Sequence, residues 1–419
     1  MDNFTFYSPT YFVFGKGTEA QTGELVKRYG GHKVLIHYGG GSVKRSGLLD
    51  RVKASLDAAG LEYVELGGVK ASPLSDLVYE GIELAKKEKV DFILPLGGGS
   101  VMDSAKGIAL GALYDGDFWD YYCGKKGPVT EALPVGCVVT IAASGSEGST
   151  DSVVTLVTED GKQYKRCADG DILRPLFAIM NPELMMTLPP YQTASGVSDI
   201  FAHCLERYFS DTPDCELTDR MLEAVMLTML KEGRRVMKNP NDYEARANIM
   251  WAAMVAQNNI TDVGRAQDWG THHMDNEIGI NYGASHGAGL ALLFPYWMEY
   301  AIKAKGPEKF VKFATRIFGC QNDFEHPDLS YHMIISNEML FESLLRGLFR
   351  AAQTRGIEKM SILLPLVNRC REAPQQSGCA HLCQRKICID GKGLAVLQRA
   401  WHQQCHCLPA NVLQHNKTR

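Results

Sequence analysis

Residues 90–113 read VDFILPLGGGSVMDSAKGIALGAL: an apolar run, then a triple-glycine turn, then a stretch with the apolar spacing of a helix. The same order occurs earlier, where KVLIHY at 33–38 leads into a second GGGSV turn at 39–43 and then into an amphipathic stretch. Two more apolar runs, YVEL at 63–66 and PVGCVVTI at 134–141, continue the pattern. Strands that alternate with helices predict a parallel β-sheet with both faces covered.

Each glycine turn joins the end of a predicted strand to the start of a predicted helix. Glycine lets the backbone approach a phosphate closely, and a helix N-terminus offers free N–H groups and the positive end of its dipole. Nucleotides commonly bind at the strand ends of such sheets. Neither turn is a GxGxxG fingerprint, so two ligand-free turns are the alternative interpretation. The repetition favours a nucleotide site.

The pattern changes after the Pro189–Pro190 pair. Apolar residues then recur with helical spacing, as in 219–236 and 242–258, and strand signals vanish. We therefore predict an α/β domain over residues 1–190 and a helical domain over residues 191–345.

The last segment, residues 346–419, differs from the rest in composition. It is rich in Gln and His, and half of the chain's 12 cysteines follow residue 361. A small zinc module is one interpretation, but neighbouring cysteines such as Cys379, Cys383 and Cys388 have spacings that fit no standard zinc pair. We predict an aberrant tail of the kind that a change of reading frame produces.

The overall composition excludes several classes of protein. The 419 residues carry 44 basic and 48 acidic side chains, a net charge of −4, which argues against a nucleic-acid binder or a polybasic membrane protein. The N-terminus has no signal-peptide pattern. The most apolar stretch, residues 287–302, contains Pro295 and Glu299 and is too interrupted to span a bilayer. We expect a cytoplasmic protein that binds neither nucleic acid nor membrane.

A second group of candidate residues lies in the helical half. Asp199 and His203 are four positions apart in SGVSDIFAHCLE, so a helix would present them on one face. The segment DWGTHHMDNEIGINYGASHGAG adds His272, His273 and His286, and its glycines predict that one helix ends and another begins within it. A carboxylate with imidazoles suits Fe²⁺ or Zn²⁺. The spacing alone leaves open that these are hydrogen-bonded core histidines.

Over about residues 1–320 the chain resembles the iron-containing alcohol dehydrogenase family, in its butanol-dehydrogenase-like branch of NADPH-dependent aldehyde reductases. The motifs that carry the resemblance are LGGGSVMDSAK at 96–106, TIAASGSE at 140–147, FAIMNPELMMTLPP at 177–190, SGVSDIFAHCLE at 195–206 and SHGAGLALLFP at 285–295. The resemblance implies a Rossmann-like α/β nucleotide domain followed by an all-α metal-binding domain, the dehydroquinate synthase-like architecture, with the substrate cleft between them.

The resemblance also implies one divalent metal, with Fe²⁺ expected and Zn²⁺ or Ni²⁺ as alternatives. Its ligands, which would also be the catalytic residues, would be Asp199, His203, His272 and His286. His273 is left out because neighbouring helical residues point about 100° apart. Many relatives have a further His at the place of Asn276, and Asn cannot act as a general acid near neutral pH.

The cofactor implied is NADP(H), with NAD(H) as the alternative. The residues expected to bind it are Gly39, Gly40, Ser42, Gly97, Gly98, Gly99, Ser100, Asp103, Thr140, Ser144 and Lys162. An acidic residue after the first strand would bind the adenosine ribose and repel a 2′-phosphate. The first glycine turn has no carboxylate, and Lys44 and Arg45 follow it, which favours NADPH. Alternatively, these two cations are only a solvated helix start.

The activity implied is hydride transfer between NAD(P)H and a small primary alcohol or aldehyde, such as butanol or butyraldehyde. The resemblance also leads us to expect a homodimer. A glycerol or polyol dehydrogenase of the same fold is one rival. A catalytically inactive, nucleotide-binding relative is the other.

Overall fold

The computed structural model describes residues 1–267 and 269–320. The predicted tail over 346–419 and the last part of the predicted helical domain lie outside the described residues. The strands are β1 (Tyr11–Phe14), β2 (Lys33–Gly39), β3 (Glu62–Val69), β4 (Phe92–Gly97), β5 (Gly136–Val139), β6 (Asp151–Val157), β7 (Gln163–Asp169) and β8 (Phe177–Met180).

Six strands form one parallel sheet in the order β1-β8-β5-β4-β2-β3, and β6 and β7 form a separate antiparallel pair. The helices of this half are α1 (Thr22–Arg28), α2 (Ser42–Arg45), α3 (Leu48–Ala58), α4 (Ser75–Glu88), α5 (Gly99–Leu113) and α6 (Trp119–Tyr122).

Helices cover both faces of the sheet. Val34 and Ile36 of β2 pack in a cluster with α1 and α3, whereas Leu35 faces the opposite cluster with α4 and α5. Strand β4 is buried along its whole length. Burial on both faces explains the continuous apolar runs in the sequence, which are typical of parallel strands.

The second half is helical: α7 (Pro190–Tyr208), α8 (Glu216–Lys238), α9 (Tyr243–Gln257), α10 (Gly270–Tyr282), α11 (His286–Lys305) and α12 (Glu308–Phe318). Helix α7 has Pro190 at its first position, where the missing N–H costs nothing. It packs against α8 and α11, and its apolar side chains share one core cluster with Met102 and Val139 from the sheet half. Helix α7 therefore joins the two halves.

The fold class predicted from the sequence is confirmed: a parallel α/β sheet half and a helical half. The predicted helix break between His272 and His286 is also confirmed, since α10 ends before Gly283 in the left-handed region (φ 67°) and α11 begins at His286. The short strands β1 and β8 and the β6–β7 hairpin were not predicted. No helix in the described range combines the length and the apolar character that a membrane crossing requires.

Candidate active site

The second glycine turn joins β4 to the N-terminus of α5 and packs tightly. A Cβ added to Gly98 would lie 1.9 Å from Cγ2 of Ile141, and one added to Gly99 would lie 2.2 Å from Oγ of Ser144. The backbone N–H of Thr140 donates to the carbonyl of Gly97 at 2.9 Å. The structure thus brings Gly97, Gly98, Gly99, Thr140 and Ser144 together, with Ser100 in the first turn of α5.

The first glycine turn, between β2 and α2, is more open. Nothing lies within 4 Å of a Cβ added to Gly40, and Gly41 adopts the left-handed region (φ 105°) that favours glycine. The ammonium of Lys44 lies 5.1 Å from the ring centre of Tyr38. The hydroxyl of Tyr38 donates to Glu65 at 3.0 Å. A carboxylate that the sequence analysis missed therefore lies near this turn, on the neighbouring strand β3.

A buried ammonium group anchors the segment that follows Ser144. Lys106 is fully buried in α5, and its Nζ donates to the carbonyls of Ser146, Ser149 and Asp151 at 2.8–2.9 Å. The hydroxyl of Ser146 donates to Asp103 at 2.7 Å. Burial raises the pKa of Asp103 to about 6, and burial lowers the pKa of Lys106. These contacts fix the 140–151 segment against the helix that begins at the glycine turn.

The candidate metal ligands come from three helices. Asp199 and His203 lie one turn apart on α7, His272 is on α10, and His286 is the first residue of α11. Ligand atoms of Asp199, His272 and His286 lie within 4.8 Å of one another. The ring of His203 is outside that set, and its centre lies 4.9 Å from that of His272.

Three candidate ligand atoms are buried and have no hydrogen-bond partner among the residues that the structure describes: Oδ1 of Asp199, Nδ1 of His203 and Nε2 of His272. A buried polar atom without a hydrogen bond lowers the stability of the fold by about 1–3 kcal/mol unless another group or ion binds it. Burial raises the pKa of Asp199 and lowers the pKa values of His203 and His272, so the two imidazoles are neutral, as metal ligands must be. One carboxylate oxygen and several imidazole nitrogens fit Fe²⁺, Zn²⁺ or Ni²⁺.

Comparison with known proteins identifies the family. Residues 9–182 match the iron-containing alcohol dehydrogenase family, and residues 193–335 match the C-terminal domain of the same family. The chain belongs to the iron-containing alcohol dehydrogenase family. This membership makes it an oxidoreductase of the alcohol dehydrogenase class.

Its relatives in this family include enzymes named for either nicotinamide cofactor. NADH-dependent butanol dehydrogenase A of Clostridium acetobutylicum is 37% identical over 346 residues, which cover 82% of this chain and 87% of the relative. NADPH-dependent aldehyde reductase YqhD of Escherichia coli is 36% identical over 321 residues, 76% of this chain and 81% of the relative. The crystal structure of NADH-dependent butanol dehydrogenase A from Thermotoga maritima superposes with a TM-score of 0.78 at 39% identity, covering 88% of this chain and 90% of that one.

Two buried carboxylates that the sequence analysis did not select contact the histidines of this family member. Glu206 accepts a hydrogen bond from Nδ1 of His272 at 2.7 Å, and Asp275 lies at hydrogen-bond distance from Nδ1 of His286. Each carboxylate follows a candidate ligand, His203 or His272, by three residues on the same helix. This spacing of three residues could have indicated both carboxylates from the sequence, because residues three apart share a helix face.

The two lysines of the β6–β7 hairpin occupy different surroundings. Lys162 lies in the turn, is 61% exposed and pairs with Asp160. Lys165, on β7, is influenced by the carboxylates of Asp275 and Asp199: burial lowers its pKa, and these carboxylates oppose that shift. Strand β7 contacts α10, so Lys165 lies within the electrostatic influence of Asp275, whereas Lys162 is exposed. The sequence analysis missed Lys165 because it did not identify the hairpin.

The indole ring of Trp269 packs beside two of the candidate histidine ligands. Its ring centre lies 4.9 Å from that of His272, edge to face, and 5.9 Å from that of His203. The guanidinium of Arg207 stacks 4.6 Å from the indole centre. Trp269 also has a positive φ of 56°, which is uncommon for a bulky residue and is often found at functional sites.

Asn276 lies one turn after His272 on α10 and is partly buried.

Proposed function

We propose that the chain interconverts a small primary alcohol and its aldehyde, such as butanol and butyraldehyde, with NAD(P)H as the hydride carrier. The observation that carries the proposal is the convergence of Asp199, His203 and His272, each with a buried ligand atom that finds no hydrogen-bond partner within residues 1–267 and 269–320. The alcohol and aldehyde activities named for the relatives agree with that chemistry.

In this proposal Asp199, His203, His272 and His286 hold one divalent metal, Fe²⁺ first and Zn²⁺ or Ni²⁺ as alternatives. When bound, such an ion supplies a Lewis acid for the substrate oxygen, and the nicotinamide supplies the hydride. Lys165 balances part of the negative charge of Asp199 and Asp275, which favours entry of an anionic cofactor.

The two glycine turns would bind different parts of the cofactor. Gly97, Gly98, Gly99 and Ser100 would bind the pyrophosphate, because α5 begins at Gly99 and a helix N-terminus presents N–H groups and the positive end of its dipole to an anion. Asp103 would lie near the pyrophosphate on α5, and Thr140 and Ser144 would lie on the nicotinamide side. Gly39, Gly40 and Ser42 would contact the adenosine end. Lys162 would reach the cofactor only if its exposed side chain turned inward, so Lys165 is the better candidate.

The function can be tested with purified, metal-reconstituted protein by following NADPH absorbance in the presence of butyraldehyde. We expect oxidation of NADPH only when both aldehyde and metal are present. Oxidation of glycerol in preference to butanol would instead support the polyol dehydrogenase. NADPH fluorescence enhancement without turnover would support the inactive, nucleotide-binding relative.

We propose NADPH as the preferred cofactor, because Lys44 and Arg45 follow the first glycine turn and would pair with a 2′-phosphate. Glu65 opposes this effect, since it lies near Lys44. The double substitution Lys44→Ala, Arg45→Ala is expected to lower the ratio of kcat/KM for NADPH over NADH by about tenfold, equivalent to about 1.4 kcal/mol. Lys125→Ala, on a distant exposed loop, is the control. A wild-type preference for NADH would contradict the proposal.

We also propose that the chain forms a homodimer through its N-terminal segment. Phe4, Tyr7 and Tyr11 are exposed aromatic side chains, and β1 is an edge strand. Exposed edges and aromatic side chains are typical of surfaces that pair with another chain. Light scattering of the full chain should give about twice 46.3 kDa. Tyr11→Lys with Phe14→Lys should shift the protein to monomer, and a monomeric wild type would refute the proposal.

A further inference from the structure

One face of α7 carries more than candidate metal ligands. Asp199, His203 and Glu206 follow one another at spacings of four and three residues, and all three are buried. The carboxylate of Glu206 receives two hydrogen bonds from His272 on α10: from Nδ1 at 2.7 Å and from the backbone N–H at 3.0 Å. An ionised carboxylate can only accept, so Nδ1 is the protonated nitrogen of His272. Helix α7 therefore determines how His272 of α10 is oriented.

Helix α10, the second of the three helices that carry candidate ligands, repeats the arrangement. It carries His272 and, three residues later, Asp275, which is completely buried and contacts Nδ1 of His286. Asp275 reaches that position only because α11 has a glycine beside it. A Cβ on Gly289 would lie 1.7 Å from Oδ1 of Asp275. Glycine at this position thus makes room for the carboxylate.

In both histidines the carboxylate contacts Nδ1, so Nε2 remains available to bind a metal ion. With Nδ1 donating, Nε2 carries the lone pair that can bind a cation. Nε2 of His272 is buried without a partner, and Nε2 of His286 lies 3.8 Å from Oδ1 of Asp199. Helix α7 thus contributes candidate ligands and the carboxylate that orients His272 on α10, and α10 contributes a ligand and the carboxylate that orients His286 on α11.

We infer that Glu206 and Asp275 are positioning residues that set the metal affinity of the site. Neither carboxylate belongs to the ligand set, and each acts through the histidine that it holds. The inference rests on the proposed metal site. Partners of this kind typically change metal affinity by about 10–100-fold when they are replaced.

The inference can be tested on the full chain with Co²⁺ as the probe, by chelator competition and by its visible absorption, which reports coordination geometry. Glu206→Gln and Asp275→Asn should weaken Co²⁺ binding by about 10–100-fold and alter the spectrum. The matched control is Glu223→Gln, which removes a buried charge on α8 that bonds Tyr208 and Arg316. Glu223→Gln should bind Co²⁺ within twofold of wild type even where it lowers the melting temperature.

A steric variant keeps the inference falsifiable where a charge substitution prevents folding. Gly289→Ala should displace Asp275 and weaken Co²⁺ binding, whereas Gly279→Ala, with only an ordinary 3.8 Å contact, should not. If wild type binds Co²⁺ and Glu206→Gln, Asp275→Asn and Gly289→Ala all bind it within twofold of wild type, the positioning inference is wrong. If wild type itself binds no Co²⁺, the proposed metal site fails together with it.

Discussion

His272→Ala should lower kcat for butyraldehyde reduction by about 10³-fold or more. A metal that polarises the substrate oxygen contributes several kcal/mol, and each 1.36 kcal/mol corresponds to a factor of ten in rate. His272 is the central histidine of the site, because its ring lies near both His203 and His286. Its loss removes a ligand and also the ring N–H that donates to the buried carboxylate of Glu206. Metal content after dialysis should fall with activity.

The adjacent histidine provides the control for this prediction. His273 is exposed on the same helix, so His273→Ala removes the same chemical group from a neighbouring position. We expect it to keep metal content and kcat within about twofold of wild type. NADPH binding, measured by fluorescence, should survive in both variants, since the glycine turns lie in the sheet half. Activity of metal-free His272→Ala near the wild-type level would exclude metal-dependent catalysis at this site.

Gly98→Ala should lower kcat/KM for the cofactor by about 100-fold. The added methyl group would lie 1.9 Å from Ile141, so either the turn or the segment that follows β5 must move. That segment contains Thr140 and Ser144, and a displacement of about 1 Å at a reacting centre can cost about 10²-fold. Co²⁺ affinity should stay unchanged, because the candidate ligands lie on α7, α10 and α11. The effect would therefore appear in cofactor kinetics and not in metal content.

A second substitution tests whether the effect of Gly98→Ala comes from the clash of its methyl group with Ile141. Ile141→Ala removes the atom that the new Cβ meets, so the double variant Gly98→Ala, Ile141→Ala should regain part of the lost kcat/KM. Gly127→Ala, where nothing lies within 4 Å, is the control for an added methyl group elsewhere. Equal activity of Gly98→Ala and Gly127→Ala would mean that this turn does not position the cofactor.

The sequence predicted those features that arise within one element. The run from Val90 to Leu113 contains a strand, a turn and a helix in direct succession, so local patterns were sufficient. Asp199 and His203 share a helix face for the same local reason. The short strands β1 and β8 and the hairpin were missed because four-residue apolar runs and polar alternation carry little signal.

The residues that were missed at the site depend on contacts between elements. Glu206 and Asp275 matter because of histidines on other helices, and Lys165 matters because carboxylates of α7 and α10 act on its charge. Glu65 lies near the first glycine turn only because β3 pairs with β2. The periodicity of a single segment cannot predict these contacts between elements, because they depend on how the elements pack.

Helix α7 is buried without interruption from Thr193 to Tyr208. Amide hydrogens in such a segment exchange with solvent only when the molecule opens on a large scale, whereas chain ends and surface loops open locally at little cost. Asp199 and His203 therefore belong to a unit that opens slowly. Release of a bound ion by local fraying is disfavoured for that reason. The time that the ion stays bound is then linked to the unfolding rate of the helical core.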